Sequence, residues 1–172
     1  VNPVQAAVLY ESALSLAKIG KKDTVLDLYC GIGTIALLAA SKAKTVIGVE
    51  IVKDAIEDAS RNAALNGISN VQWIHADAGS AVKTLIENKT KIDVLVVDPP
   101  RKGLDDSTRQ AILTSKAPKV VYVSCDPGTL VRDLKILSDL YSIEKIELTD
   151  MFPQTVHVET VVLLELKKTK KD

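Results

Sequence analysis

Two cysteines in 172 residues rule out a disulfide framework. Cys30 and Cys125 lie far apart, each in its own motif-like segment, as suits a reducing cytosol. An excess of charge is also missing. The 22 basic and 22 acidic side chains cancel, whereas a self-sufficient nucleic-acid binder carries a basic surplus on one face. No apolar run of membrane-spanning length and no charged-then-apolar leader occurs. Together these absences predict a soluble, cytoplasmic, monomeric domain with no membrane contact.

What is abundant is apolar side chain, 47% of the residues, enough to build one full-sized core. One domain is expected. The sequence opens at Val1 and its first periodic helix begins within four residues, so it reads as the C-terminal part of a longer protein. If the substrate is RNA, the grip on it is expected from the part outside this piece.

From residue 4 to 18, Val4, Ala7, Val8, Ala13, Leu14 and Ala17 recur at near-helical spacing and Gly20 supplies a stop. Short Val- and Ile-rich runs then alternate with longer amphipathic stretches, the pattern of βαβ units around a parallel sheet. The strands are predicted at Thr24–Leu28, Thr45–Val49, Val71–His75, Ile92–Val97 and Lys119–Val123. Helices are predicted near 34–41, 53–66, 79–87, 105–115 and 127–139. Two further strands, Ile143–Leu148 and His157–Leu166, are joined by a short link that favours a hairpin, so the last strand should run against the others. Five parallel strands closed by such a hairpin resemble the class I S-adenosylmethionine-dependent methyltransferases: an α/β, Rossmann-like, seven-stranded sheet with helices on both faces. The final Lys167–Asp172 stretch reads as a solvated end.

Ligands of open α/β sheets bind beyond the carboxyl ends of the strands, and here every such end carries a polar group. They are Asp27-Leu28-Tyr29-Cys30-Gly31-Ile32-Gly33-Thr34, then Glu50, Asp77, Asp98-Pro99-Pro100-Arg101, and Ser124-Cys125-Asp126-Pro127. Gly31 and Gly33 allow a tight turn and a close backbone approach to a ligand at a helix start. With Ala36 they also satisfy a dinucleotide fingerprint, so nicotinamide binding competes. Glu50 suits ribose hydroxyls of either cofactor and Asp77 an adenine amino group; the plainer reading makes both solvated loop acids. Pro99 and Pro100 stiffen the chain just past a buried strand, which suits a site more than a simple turn.

The segments DLYCGIGT, DPPRKGL, VSCDPGTLVRDL and FPQTVHVETVVLL, in this order, resemble the uracil-5-methyltransferases of transfer and ribosomal RNA over essentially the whole chain. The resemblance implies S-adenosylmethionine as cofactor, no metal in this domain, and RNA as substrate. It implies cofactor contacts at Tyr29, Gly31, Gly33, Thr34, Glu50, Asp77 and Asp98, a nucleophile at Cys125 and a base at Glu159. Family members place a glutamine just ahead of Asn2-Pro3, where this chain has Val1, so that contact is missing. Many also carry an OB-like RNA-binding domain, some an iron–sulfur cluster, and neither can be encoded here.

Asp126 and Pro127 read as a helix cap and first helical residue, which sets the Cys125 sulfur beside the positive end of a helix and should favour its thiolate. A small buried apolar role is the plainer reading of Cys125, and packing is the expected role of Cys30. His157 and Glu159 share one face of the last strand by two-residue alternation, with Val158 and Thr160 on the other. A structural role for His157, an acid merely exposed at the sheet end for Glu159, and either substrate or solvent for Arg132 stay open. Three rival functions also stand: an NAD-dependent oxidoreductase, a non-catalytic S-adenosylmethionine sensor or RNA scaffold, and a methyltransferase acting on an exocyclic amine. The last usually has an aromatic residue after the prolines, where this chain has Arg101.

Overall fold

The computed structural model describes residues 3–149 and 158–168, with side chains of the first helix described from Val8 onward. Seven strands form one sheet in the order β3-β2-β1-β4-β5-β7-β6. The parallel strands are β1 (Thr24–Leu28), β2 (Thr45–Glu50), β3 (Val71–His75), β4 (Val94–Val97) and β5 (Lys119–Ser124). The hairpin strands β6 (Tyr141–Thr149) and β7 (Glu159–Leu166) are antiparallel, with β7 inserted beside β5. The helices are α1 (Pro3–Ala17), α2 (Thr34–Ala40), α3 (Lys53–Leu65), α4 (Ala78–Glu87), α5 (Asp106–Ser115) and α6 (Pro127–Leu137).

Alternation along the strands sorts their side chains into two cores. Val25, Val46, Val96, Val121, Val161 and Leu163 pack with α1 and α2 on one face. Leu26, Val49, Val97, Tyr122, Val162 and Leu164 pack with α4, α5 and α6 on the other. Because both faces are covered, the central strands are apolar almost throughout, and Asp27, a wholly buried acid in the middle strand β1, stands out.

Three expectations need correction. Val8 is 50% exposed and Leu9 is buried in its place, while Ala13, Leu14 and Ala17 are buried as expected and Leu16 joins them. Strand β4 starts at Val94 rather than Ile92, because Asp93 turns to β1, accepting from the Thr24 amide at 3.0 Å. Strand β6 is longer than predicted and irregular: its register slips between Ile143 and Lys145, which broke the alternation on which the prediction relied. His157 lies outside the described residues.

Candidate active site

The parallel strands all deliver their carboxyl ends to one edge, and the reversed β7 brings its first residue to the same edge. The site there has two halves.

One half lies beyond β1, β2 and β3. A cavity of about 400 Å³ is lined by Tyr29, Glu50, Asp77, Asp98, Lys102 and Asp105, among others. Tyr29 has φ +64, a left-handed backbone that aromatic residues rarely adopt and that recurs at functional sites. Its hydroxyl lies 3.2 Å from Thr108 Oγ1, a buried residue of α5 that no motif marks. Glu50 accepts three backbone amides: Gly31 N on Oε2 at 3.0 Å, and Ile51 N and Val52 N on Oε1 at 2.8 and 3.0 Å. With each oxygen able to take two donors, Oε2 keeps a position for a ribose hydroxyl. Asp77 caps α4, accepting from Ser80 N at 2.9 Å, and that amide holds its carboxyl below the usual range.

Gly31, Gly33 and Thr34 do not line this cavity. A Cβ on Gly31 (φ +53) would meet nothing within 4 Å, so there the backbone angle alone calls for glycine. Gly33 (φ +89) answers to a different demand. Its Cβ would come within 2.6 Å of the Trp73 ring and 3.2 Å of Ala59 Cβ, so close internal packing by itself asks for glycine here. Thr34 is exposed at the start of α2. Cys30 is buried, and burial together with Asp27 and Glu50 pushes its thiol far up, which fits packing and not chemistry.

The other half lies beyond β4, β5 and β7. Ser124 pairs with Thr160 in the antiparallel register, so the next pair outward is Cys125 and Glu159. Cys125 is partly exposed. Thr160, Val162 and Leu164 alternate with Glu159, Val161 and Leu163, which puts Glu159 on the α1 side of the sheet. The Tyr10 hydroxyl of α1 reaches Asp98 Oδ2 on that side, at 3.5 Å. Burial, and then the nearby Glu159, raise the Asp98 carboxyl to about 7. Asp27 is wholly buried, and neither of its oxygens has a hydrogen-bond partner. Burial and Asp98 hold it well above the carboxylate range.

The expected activation of Cys125 is not what the structure gives. Asp126 does cap α6, accepting from Thr129 N at 2.9 Å, with Pro127 in the first turn. Yet the thiol is raised, because burial and the Glu159 charge outweigh the favourable influence of Arg101. Cys125 therefore rests as a thiol at neutral pH and must lose its proton to a neighbour before it can attack.

A buried network holds this half together. Asp133, wholly buried on α6, accepts from Tyr122 Oη at 2.7 Å, Arg109 Nη1 at 2.7 Å, Leu104 N at 2.8 Å and Arg132 Nε at 3.0 Å. Arg132 also donates to the carbonyls of Lys102 and Leu104, and Thr129 Oγ1 to that of Arg101 at 3.0 Å. Arg132 thus braces a loop, which neither reading of it anticipated. Gly103 has φ +72, and a Cβ there would lie 2.6 Å from Asp133 Oδ2. The DPPRKGL and SCDPGTLVRDL segments are bound to each other, which fixes Arg101 beside Cys125.

A twisted sheet of order 3-2-1-4-5-7-6 with the seventh strand reversed is the architecture of the class I S-adenosylmethionine-dependent methyltransferases. The family described as tRNA (uracil-5-)-methyltransferase matches residues 4–167, and the chain belongs to that family. Among its relatives, an RNA methyltransferase of Halalkalibacterium halodurans is 51% identical over 168 residues, 97% of this chain and 37% of the relative. One of Listeria innocua is 50% identical, with the same coverage. The Pyrococcus abyssi tRNA (uracil-54, C5)-methyltransferase, solved with S-adenosyl-L-homocysteine, superposes with a TM-score of 0.78 at 32% identity, over 91% of this chain and 38% of that one. The chain thus spans little more than a third of these proteins. The membership sets aside the nicotinamide reading, which rested on Gly31, Gly33 and Ala36 alone.

Proposed function

We propose that this chain is the catalytic domain of an enzyme that methylates carbon 5 of a uracil in RNA through a covalent adduct of Cys125 at carbon 6. The observation that carries the reading is the β5–β7 register, which makes a partly exposed thiol and a carboxylate next neighbours at the ligand edge. The first half of the site fits S-adenosylmethionine: a cavity of about 400 Å³ lined by the acidic Glu50, Asp77 and Asp98 together with Tyr29. Glu50 would hold the ribose, Asp77 the adenine edge, and Asp98 the end nearest Cys125. When bound there, S-adenosylmethionine supplies an electrophilic methyl group.

Carbon 5 of uracil is a poor nucleophile until electrons are pushed into the ring. Cys125 Sγ, once deprotonated, adds to carbon 6, and the ring electrons move toward the carbonyl oxygen on carbon 4. Carbon 5 then takes the methyl group. Glu159 removes the proton from carbon 5, the ring double bond re-forms, and Cys125 leaves as thiolate. The wider RNA grip belongs to the part of the protein outside this chain, because the balanced charge of the domain offers little attraction to phosphates.

The test is trapping. RNA carrying 5-fluorouridine at the target has no removable proton at carbon 5, so with S-adenosylmethionine the full-length enzyme should stall as a covalent complex visible on a denaturing gel. Cys125→Ala should give none. A complex that survives that substitution, or a turnover that does, ends the proposal.

A further inference from the structure

Resting on that reading, we propose that Tyr10, on the lead-in helix α1, is a positioning residue for the reaction, whose hydroxyl donates to Asp98 and keeps that carboxylate open as a second proton acceptor beside Glu159.

The need for two acceptors follows from counting protons. The Cys125 thiol gives up a proton before Sγ attacks carbon 6. Carbon 5 gives up a second after it is methylated. The sulfur leaves the ring as thiolate and takes a proton back only afterwards, so whenever the first proton has not yet passed to solvent two protons rest on the protein. One leaves to solvent as the net product of the reaction. Among the groups described at this edge, the carboxylates that act on the Cys125 thiol are Glu159 and Asp98. Asp27 is no substitute, because it is sealed within β1, out of reach of substrate and solvent.

Asp98 serves as an acceptor only while ionised, and its surroundings oppose that. It faces Glu159 from β7 and Asp27 from β1, and it lies within electrostatic reach of the Cys125 thiol beyond β5. The group that favours its charge is the Tyr10 hydroxyl, 3.5 Å from Oδ2. Tyr10 is half-buried, and desolvation followed by Asp98, Glu159 and Asp27 pushes its own ionisation to about 12. It therefore remains a donor at every pH at which the enzyme works. A phenol held by a helix also costs less entropy than a mobile water in the same role.

The experiment is the pH dependence of single-turnover methylation by the full-length enzyme. Tyr10→Phe removes the donor and keeps the ring. Its acid limb should move upward by about half to one pH unit. At pH 6.5 the rate should fall about threefold to tenfold, and at pH 9 it should return to within about twofold of the unaltered enzyme. Placing 3-fluorotyrosine at position 10 alone makes the hydroxyl a stronger donor and should move the limb the other way. Ser12→Ala, two residues along α1 where Ser12 bonds Glu147 instead, should leave the limb where it was. A limb unmoved by Tyr10→Phe and by fluorotyrosine overturns the inference, as does an equal loss at every pH, which would mark Tyr10 as merely structural. Should Tyr10→Phe still trap 5-fluorouridine RNA while the limb stays fixed, only the inference falls. If the unaltered enzyme fails to trap, the reading beneath it falls too.

Discussion

The two halves of the strand-end site handle negative charge in opposite ways. Beyond β2 and β3, Glu50 and Asp77 are wrapped in backbone amides, and the Asp77 carboxyl sits below its usual range. In the other half, Asp98 lies close to Glu159 and to the wholly buried Asp27, and its carboxyl rises to about 7. Amides that donate to a carboxylate favour its charge, which suits holding a ligand; burial and neighbouring carboxylates oppose that charge, which suits a group that takes and releases protons. On the proposed reading, this contrast separates ligand holding from proton transfer.

The largest effect should come from Glu159→Gln, which tests whether the second half moves protons at all. Loss of a general base costs about 10²–10⁴-fold in turnover. Two consequences push the same way here. Removing the Glu159 charge relieves one cause of the raised Cys125 thiol, so attack becomes easier, while proton removal from carbon 5 becomes harder. A covalent adduct should therefore accumulate on ordinary, unfluorinated RNA, read by gel and by mass spectrometry. Slow turnover with no adduct would take Glu159 out of the reaction half.

Asp98→Asn should have the next largest effect, and on stability it should be a gain. Holding a carboxyl at about 7 when it titrates near 3.8 in the unfolded chain corresponds to up to roughly 4 kcal/mol against the fold once it ionises. The sign follows from the raised value. Below about pH 4 the group is protonated in both states and the penalty is absent; it grows as pH rises and is complete above about 7. Thermal melts should then show Asp98→Asn more stable than the unaltered protein at pH 8 and indistinguishable near pH 4, with methylation lost. A uniform shift at both pH values would mean that Asp98 is not strained by its own charge.

Much of this arrangement was legible in the sequence. The alternation of short apolar strands with helices gave the sheet, the short link before β7 gave its reversal, and Asp126-Pro127 gave the cap of α6. These are local signals, readable within a dozen residues. The failures share a different cause. Asp133 meets Leu104 and Arg109 across 29 and 24 residues, Gly33 answers to Trp73, and Cys125 is raised by a charge that arrives on β7. None of those partners is fixed until the chain has folded. The direction of a pKa shift in particular depends on who the neighbours are, so the helix start beside Cys125 was read correctly and its consequence was not.

The smallest effect tests the binding half. Asp77→Ala removes the cap of α4 and should cost about 1 kcal/mol of stability, within the 0.5–2 kcal/mol typical of such caps. Because the Asp77 carboxyl is depressed, this contribution is present above the unfolded value and fades as pH falls through the folded one, so the gap between the two proteins should close in acid. Asp77→Asn separates structure from recognition. Asparagine caps a helix about as well as aspartate, so the melting temperature near pH 7 should hardly move, while the adenine amino group loses a charged acceptor. The KM for S-adenosylmethionine should rise several-fold with kcat nearly unchanged, the mark of binding lost equally in the ground and transition states. A fall in kcat at constant KM would place Asp77 on the chemical side of the site and erase the boundary between the two halves.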